Sequence, residues 1–184
     1  MPTNFPTSVD NFTNPTANDS LNLPSHSTQH ANANDAIEAV ETFLFGRLRI
    51  KQIVQGSTST LATSSTSTYA DTGLTATITP SSATSKILVF YYHGAIYKTA
   101  ANSQSQMQFQ VLRASTTIHL SFALYTNTAT DLFTTGFSGM IYDEPATTSA
   151  TIYKTQFANT ANAGVVGINQ SFSSARIILV EVEA

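Results

Sequence analysis

Four histidines and a few paired carboxylates are the residues of this chain whose types could support chemistry. Asp143 and Glu144 are adjacent on a strand-like segment, so they point to opposite faces and cannot flank one scissile bond. Asp71 and Asp131 read as turn residues. His26 and His30 are four apart, a spacing that grips a metal when it lies on a helix. Here Pro24 precedes them and no apolar helix face contains them, so they read as polar contacts of an extended segment, with no metal site assigned. His93 closes an apolar run and reads as a buried or interface histidine, and His119 has no second histidine near it in sequence. There is no G-x-S-x-G elbow, no P-loop and no dinucleotide glycine fingerprint. No catalytic residues and no cofactor are therefore assigned, and the chain does not read as an enzyme.

The remaining chemistry is that of polar surfaces. Only 10% of residues are charged, against roughly 25% in an ordinary soluble domain. Ser and Thr supply roughly a quarter of the chain, and with Asn, Gln and Tyr they are the groups that bond sugar hydroxyls and stack on sugar faces. Two loops collect them, AIYKTAANSQS with Tyr97, Asn102 and Gln104, and LYTNTATDLFT with Tyr125 and Asn127. These five residues are the candidate glycan contacts.

Composition narrows the partners. The net charge is −3 and eight Lys and Arg are scattered over 184 residues. A nucleic-acid partner needs a basic stripe to displace counterions, and none exists. The chain has no cysteine, so disulfides and thiolate metal sites are excluded. The N-terminus has neither a basic n-region nor an apolar h-region. The longest apolar run, Ile87 to Tyr92, is too short to span a bilayer. The expectation is a protein made soluble in the cytoplasm of the cell that produces it, with no membrane insertion.

Three kinds of segment must position these residues. Residues 1–34 form a polar arm punctuated by Pro2, Pro6, Pro15 and Pro24, which favour extended geometry. Its single apolar residues, Phe5, Val9, Phe12, Leu21 and Leu23, suit anchors that drop into pockets on another protein. About 34 extended residues reach on the order of 110 Å. A short helix follows over about 35–45, with Asp35 and Glu38 as a capping box, Gly46 at C′, and Ile37, Val40 and Leu44 as an a/d stripe. So short a helix must pack on a head domain or on copies of itself.

From Arg47 the hydrophobic period becomes two. LTATIT alternates Leu74, Ala76 and Ile78 with threonines, and QMQFQVLR alternates Met107, Phe109 and Val111 with glutamines. RLRIKQIVQ alternates Leu48, Ile50 and, after a slip, Ile53 with polar partners. KILVFYYHGAIYK is nearly continuous and reads as a central strand covered on both faces. Roughly eight to ten short strands predict an all-β fold, an antiparallel β-sandwich or jelly roll, over 47–184, preceded by the extended arm and short helix of 1–46.

The stretch HANANDAIEAVETFLFG resembles the N-terminal attachment segment of tailed-bacteriophage virion proteins. GLTATITPSSATSKILV, YDEPATTSATIYKTQF and ARIILVEVEA resemble the distal β-sandwich domains of phage tail fibres and tailspikes. The resemblance implies a homotrimeric virion surface protein with a receptor-binding-like head. A fibre carries a long shaft between attachment segment and tip, whereas here the head follows the helix directly. That departure favours a capsid decoration (cement) protein on the outer capsid surface, its arm clamping the major capsid protein. The alternative is a short tail fibre or tailspike receptor-binding protein carried by a tail protein. A free carbohydrate-binding module is the third reading.

Overall fold

The computed structural model describes residues 25–47, 50–99, 105–126, 131–161, 164–170 and 173–183. The chain divides into two compact units, 1–49 and 50–184.

In the first unit, α1 spans His26–Arg47. It starts nine residues before the expected boundary, because Ser25 rather than Asp35 is the cap. Ser25 Oγ accepts from the Thr28 backbone N–H at 3.2 Å, and the Gln29 N–H donates to the Ser25 carbonyl at 3.1 Å. The Ala, Asn and Gln residues that follow have no apolar period, so the pattern read as arm. A cap and intrahelical bonds do not require such a period. Asp35 and Glu38 therefore lie inside the helix, Gly46 lies in its last turn, and residues 26–34 are helical rather than extended.

The second unit is all-β. Twelve strands form three antiparallel sheets of four: β1-β12-β4-β9, β3-β10-β6-β7 and β2-β11-β5-β8. Their ranges are β1 Ile50–Thr58, β2 Ala62–Ser64, β3 Ala70–Ile78, β4 Lys86–His93, β5 Ile96–Lys98 and β6 Ser105–Arg113. The others are β7 Thr116–Thr126, β8 Leu132–Thr134, β9 Phe137–Asp143, β10 Thr151–Asn159, β11 Val166–Ile168 and β12 Ala175–Val182. Each short strand of the third sheet continues a strand of the first, in the same lateral order: β1 into β2, β11 into β12, β4 into β5 and β8 into β9. Merging these pairs gives eight strands with the sheet orders 1-8-3-6 and 2-7-4-5, an eight-stranded jelly roll.

Glycines make the kink between the two halves of the long sheet. A side chain at Gly136 would meet the carbonyl of His93, and one at Gly94 would meet Ser173. This interruption splits KILVFYYHGAIYK into β4 and β5. Gly56 serves a different purpose: its missing side chain lets β1 approach the Thr75 carbonyl of β3, closing one edge of the sandwich. Asp71, expected in a turn, lies on β3.

The core lies between the sheets. Leu74, Ala76 and Ile78 on β3 and Met107, Phe109 and Val111 on β6 are buried, as their alternation requires. Phe109 is the hub, its ring centroid 5.1 Å from Tyr91, 5.2 Å from His93 and 4.9 Å from Phe137.

Several buried polar groups are paired. His93 Nδ1 lies 3.1 Å from Asn169 Oδ1, which can only accept, so Nδ1 carries the proton. Nε2 then accepts from Thr155 Oγ1 at 3.1 Å, and Thr155 is bonded to Thr72 at 2.5 Å. Burial holds the His93 imidazole down at about 4, the Asn169 bond opposing this. Asp143 is buried, bonded to Arg113 Nη1 at 2.8 Å and to the Tyr153 hydroxyl at 2.6 Å. Glu144 instead points outward to Lys86 at 3.2 Å. The Glu181 carboxylate accepts from Ser81 N, Ser81 Oγ and Gln52 Nε2, each at 2.6 Å. Burial pushes this carboxyl up, but the hydrogen bonds outweigh it and hold the group below its usual range.

Two acid windows follow. Between pH 6.5 and about 4 the unfolded His93 takes up a proton that the folded one refuses, so stability falls across that interval. Glu181 acts lower: its contribution is present above 4.5 and is lost as pH falls through its depressed folded value. Urea unfolding midpoints across this pH range should decline in both windows, and His93→Gln should abolish the upper decline alone.

Candidate functional site

Three surfaces remain after the core and its polar pairs are accounted for. The first is on α1. Ile37, Val40 and Leu44 are 56%, 39% and 55% exposed, so the a/d stripe is open in the single chain. His30, four residues after His26 on the same helix, is exposed as well. The reading of both histidines as contacts of an extended arm is corrected by the earlier start of the helix. The arm anchors Phe5, Val9, Phe12, Leu21 and Leu23 lie outside the described residues.

A second surface is a cavity of about 240 Å³ at the kinked end of the long sheet. Tyr97 on β5 and its cross-strand partner Phe133 on β8 supply the aromatic wall. Thr99, Asp131 and Gln170 supply polar atoms. Thr99 Oγ1 and Gln170 Oε1 are buried with no hydrogen-bond partner among the described residues. Tyr97 is held across Gly167, its neighbour on β11, where any side chain would strike the ring. The two loops singled out in the sequence, 97–104 and 125–135, thus both contribute to one cavity, through Tyr97 and through Asp131 to Phe133. Tyr125 does not: it is 60% exposed on the outer face of β7, opposite Gln106. Asn102, Gln104 and Asn127 lie outside the described residues. The polar cavity atoms Thr99 and Gln170 carried no sequence signal, because only the kink brings them beside Tyr97.

The third surface is a contrast between the two outer faces of the sandwich. On the β3-β10-β6-β7 sheet the middle of the outer face is a polar ladder, flanked by exposed Ile152 on β10 and by exposed Leu120, Phe122 and Tyr125 on β7. Thr117 bonds Gln110 at 3.0 Å, Gln110 bonds Gln156 at 2.8 Å and Gln156 bonds Asp71 at 2.7 Å. Burial acts to raise the Asp71 carboxyl, but Gln156 and Lys154 hold it below its ordinary value. On the β1-β12-β4-β9 sheet the outer face is apolar. Residues facing each other across the strands form one row Ile53–Val180–Leu88–Tyr142 and a second Gln55–Ile178–Phe90–Met140. The near-continuous strand expected to be covered on both faces has only one face covered in this chain. Ile87, Val89 and Tyr91 are buried, while Phe90 and Tyr92 are 38% and 46% exposed. Ile50 and Ile53 likewise face outward, after a register shift between Ile50 and Gln52.

No protein-family model matches this chain, and no curated protein matches it. Among solved structures the chain is similar to that of the infectious bursal disease virus Gt strain, with a TM-score of 0.36 and 11% identity. The match covers 71% of this chain and 40% of that one. A mutant VP2 protein of the same virus, in derived T=1 particles, gives a TM-score of 0.33 and 12% identity, over 71% of this chain and 36% of that one. The chain thus spans well under half the length of these proteins, and a likeness this distant carries no statement about function.

The cavity geometry gives a direct test. Gly167→Val should push Tyr97 out of its seat, read as a shift of the Tyr97 ring signals by NMR against the unmodified chain. It should leave Met140 and the outer face of β9 unaffected.

Proposed function

We propose that this protein is a structural component of a virion, a homotrimeric capsid decoration (cement) protein. Residues 1–24 and the helix attach and assemble it, and the jelly-roll head faces outward. The observation that carries this reading is the exposed apolar stripe Ile37, Val40 and Leu44 on a helix in a unit separate from the head. A capped helix with an open a/d seam is the form a coiled-coil pin takes before its partners are added. The sequence resemblance to phage attachment segments and distal β-sandwich heads supplies the setting. The partners are then two further copies of the chain and a major capsid protein.

The cavity at Tyr97 and Phe133 supports a display role, contact with host-surface glycans. An aromatic wall of Tyr97 and Phe133 beside Asp131 suits a sugar ring, and weak contacts multiply when three heads act together. A short tail fibre or tailspike protein is the alternative reading, favoured by the resemblance of the head blocks. Carriage in the virion separates the two. Quantitative mass spectrometry of purified particles should find copies scaling with the capsid shell, and removal of residues 1–24 should abolish capsid binding. Copies restricted to the few that one tail can carry would overturn decoration in favour of the tail.

A further inference from the structure

No other described strand of the head covers the outer face of the β1-β12-β4-β9 sheet, and its two apolar rows call for a cover. A strand that is apolar on both faces belongs between two layers. β4 meets that description, with Ile87, Val89 and Tyr91 turned to the core and Leu88, Phe90 and Tyr92 turned out. Its neighbours agree in the rows of Leu88 and Phe90, presenting Ile178 and Val180 on β12, Met140 and Tyr142 on β9 and Ile53 on β1, whereas the row of Tyr92 is polar, with Ser57, Arg176 and Ser138.

We infer that this face is a homotypic interface, covered by a second copy of this chain. The inference rests on the self-association in the proposed function and names the head surface that carries it. Four strands spaced ~4.8 Å apart, with three rows of outward residues ~7 Å apart, make a face roughly 20 Å square. At ~200 Å² for a fully exposed large side chain, Ile53, Phe90, Tyr92, Met140 and Tyr142 alone present on the order of 500 Å². With half-buried Leu88, Ile178 and Val180 and the rim around them, the face approaches the ~800 Å² that one partner contributes to a stable complex.

Two features favour a copy over other occupants. The two apolar rows of the face are uncharged, exposed Arg176 stands to one side in the row of Tyr92, and the nearby lysines are paired within the chain, Lys51 to Glu183 at 2.8 Å and Lys86 to Glu144 at 3.2 Å. A strongly charged partner would find no complement there. Width argues against the chain's own residues 1–24: one extended segment covers a strip ~5 Å across in the strand-spacing direction, about a quarter of the face. A sheet face of equal breadth, such as another copy offers, matches that width.

The test uses the full chain with Met140→Glu on β9 or Ile53→Lys on β1. These residues are 64% and 63% exposed, so the single chain keeps its core. Thr77→Glu, on the polar face, is the control. Multi-angle light scattering should give a multimer for the unmodified chain and the control. Both face variants should dissociate at a concentration on the order of 100-fold higher than the control, the effect of a charge buried in an apolar contact. Near-UV dichroism confirms folding, and either folded variant decides the outcome. Unchanged multimers in the face variants would overturn this interface and leave the trimer standing. An unmodified chain that is monomeric at every concentration would overturn both.

Discussion

Everything in the head depends on one constraint: an apolar strand face must be removed from water. Each strand has two faces, and in the β3-β10-β6-β7 sheet the apolar side chains are divided unevenly between them. Leu74, Met107, Phe109 and Phe157 go inward, and glutamines and a threonine bond to one another along the middle of the outer face, with Leu120, Phe122, Tyr125 and Ile152 exposed beside them. The β1-β12-β4-β9 sheet has an apolar inner face and, on its outer face, two largely apolar rows, Ile53–Val180–Leu88–Tyr142 and Gln55–Ile178–Phe90–Met140. One sandwich can satisfy only one of those faces. The proposed interface follows from that open face, and the proposed trimer from the exposed stripe on α1.

The jelly roll was legible because its signal is local. Alternation in LTATIT and QMQFQVLR assigns Leu74, Ile78, Phe109 and Val111 to the core before any partner strand is known. The lateral order was not legible, since pairing β1 with β12 joins residues at opposite ends of the head. The kink was half visible: Gly94 interrupts the longest apolar run, but its reason, the close approach of Ser173, is a tertiary contact. The start of α1 was missed because an apolar period was taken as the mark of a helix, and Ser25 caps a turn that has none. The slip noted near Ile50 is a real irregularity of register, yet it directs Ile50 and Ile53 outward.

The candidate site was legible in part for a similar reason. Tyr97 was found by residue type, and its cavity partners Thr99 and Gln170 were not, because the fold rather than spacing assembles them. Tyr125 shares a loop with Asp131 to Phe133 in sequence but stands on the outer face of β7. His93 read as a buried histidine, and its buried chain of hydroxyls through Thr155 and Thr72 ties the two main sheets together without exposing a reactive group.

The central claim is that the apolar sheet face is covered in the assembled protein, and the absence of cysteine makes it directly measurable. A single Met140→Cys places one thiol on that face, and a single Thr77→Cys places one on the polar face. Maleimide labelling rates of the two full-length proteins, measured under native conditions at assembling concentration, compare the faces without altering charge. The account predicts that Cys at 77 labels at the rate of an open surface thiol while Cys at 140 is strongly protected, and that dilution restores its reactivity. Equal, fast labelling at both positions at every concentration would contradict it.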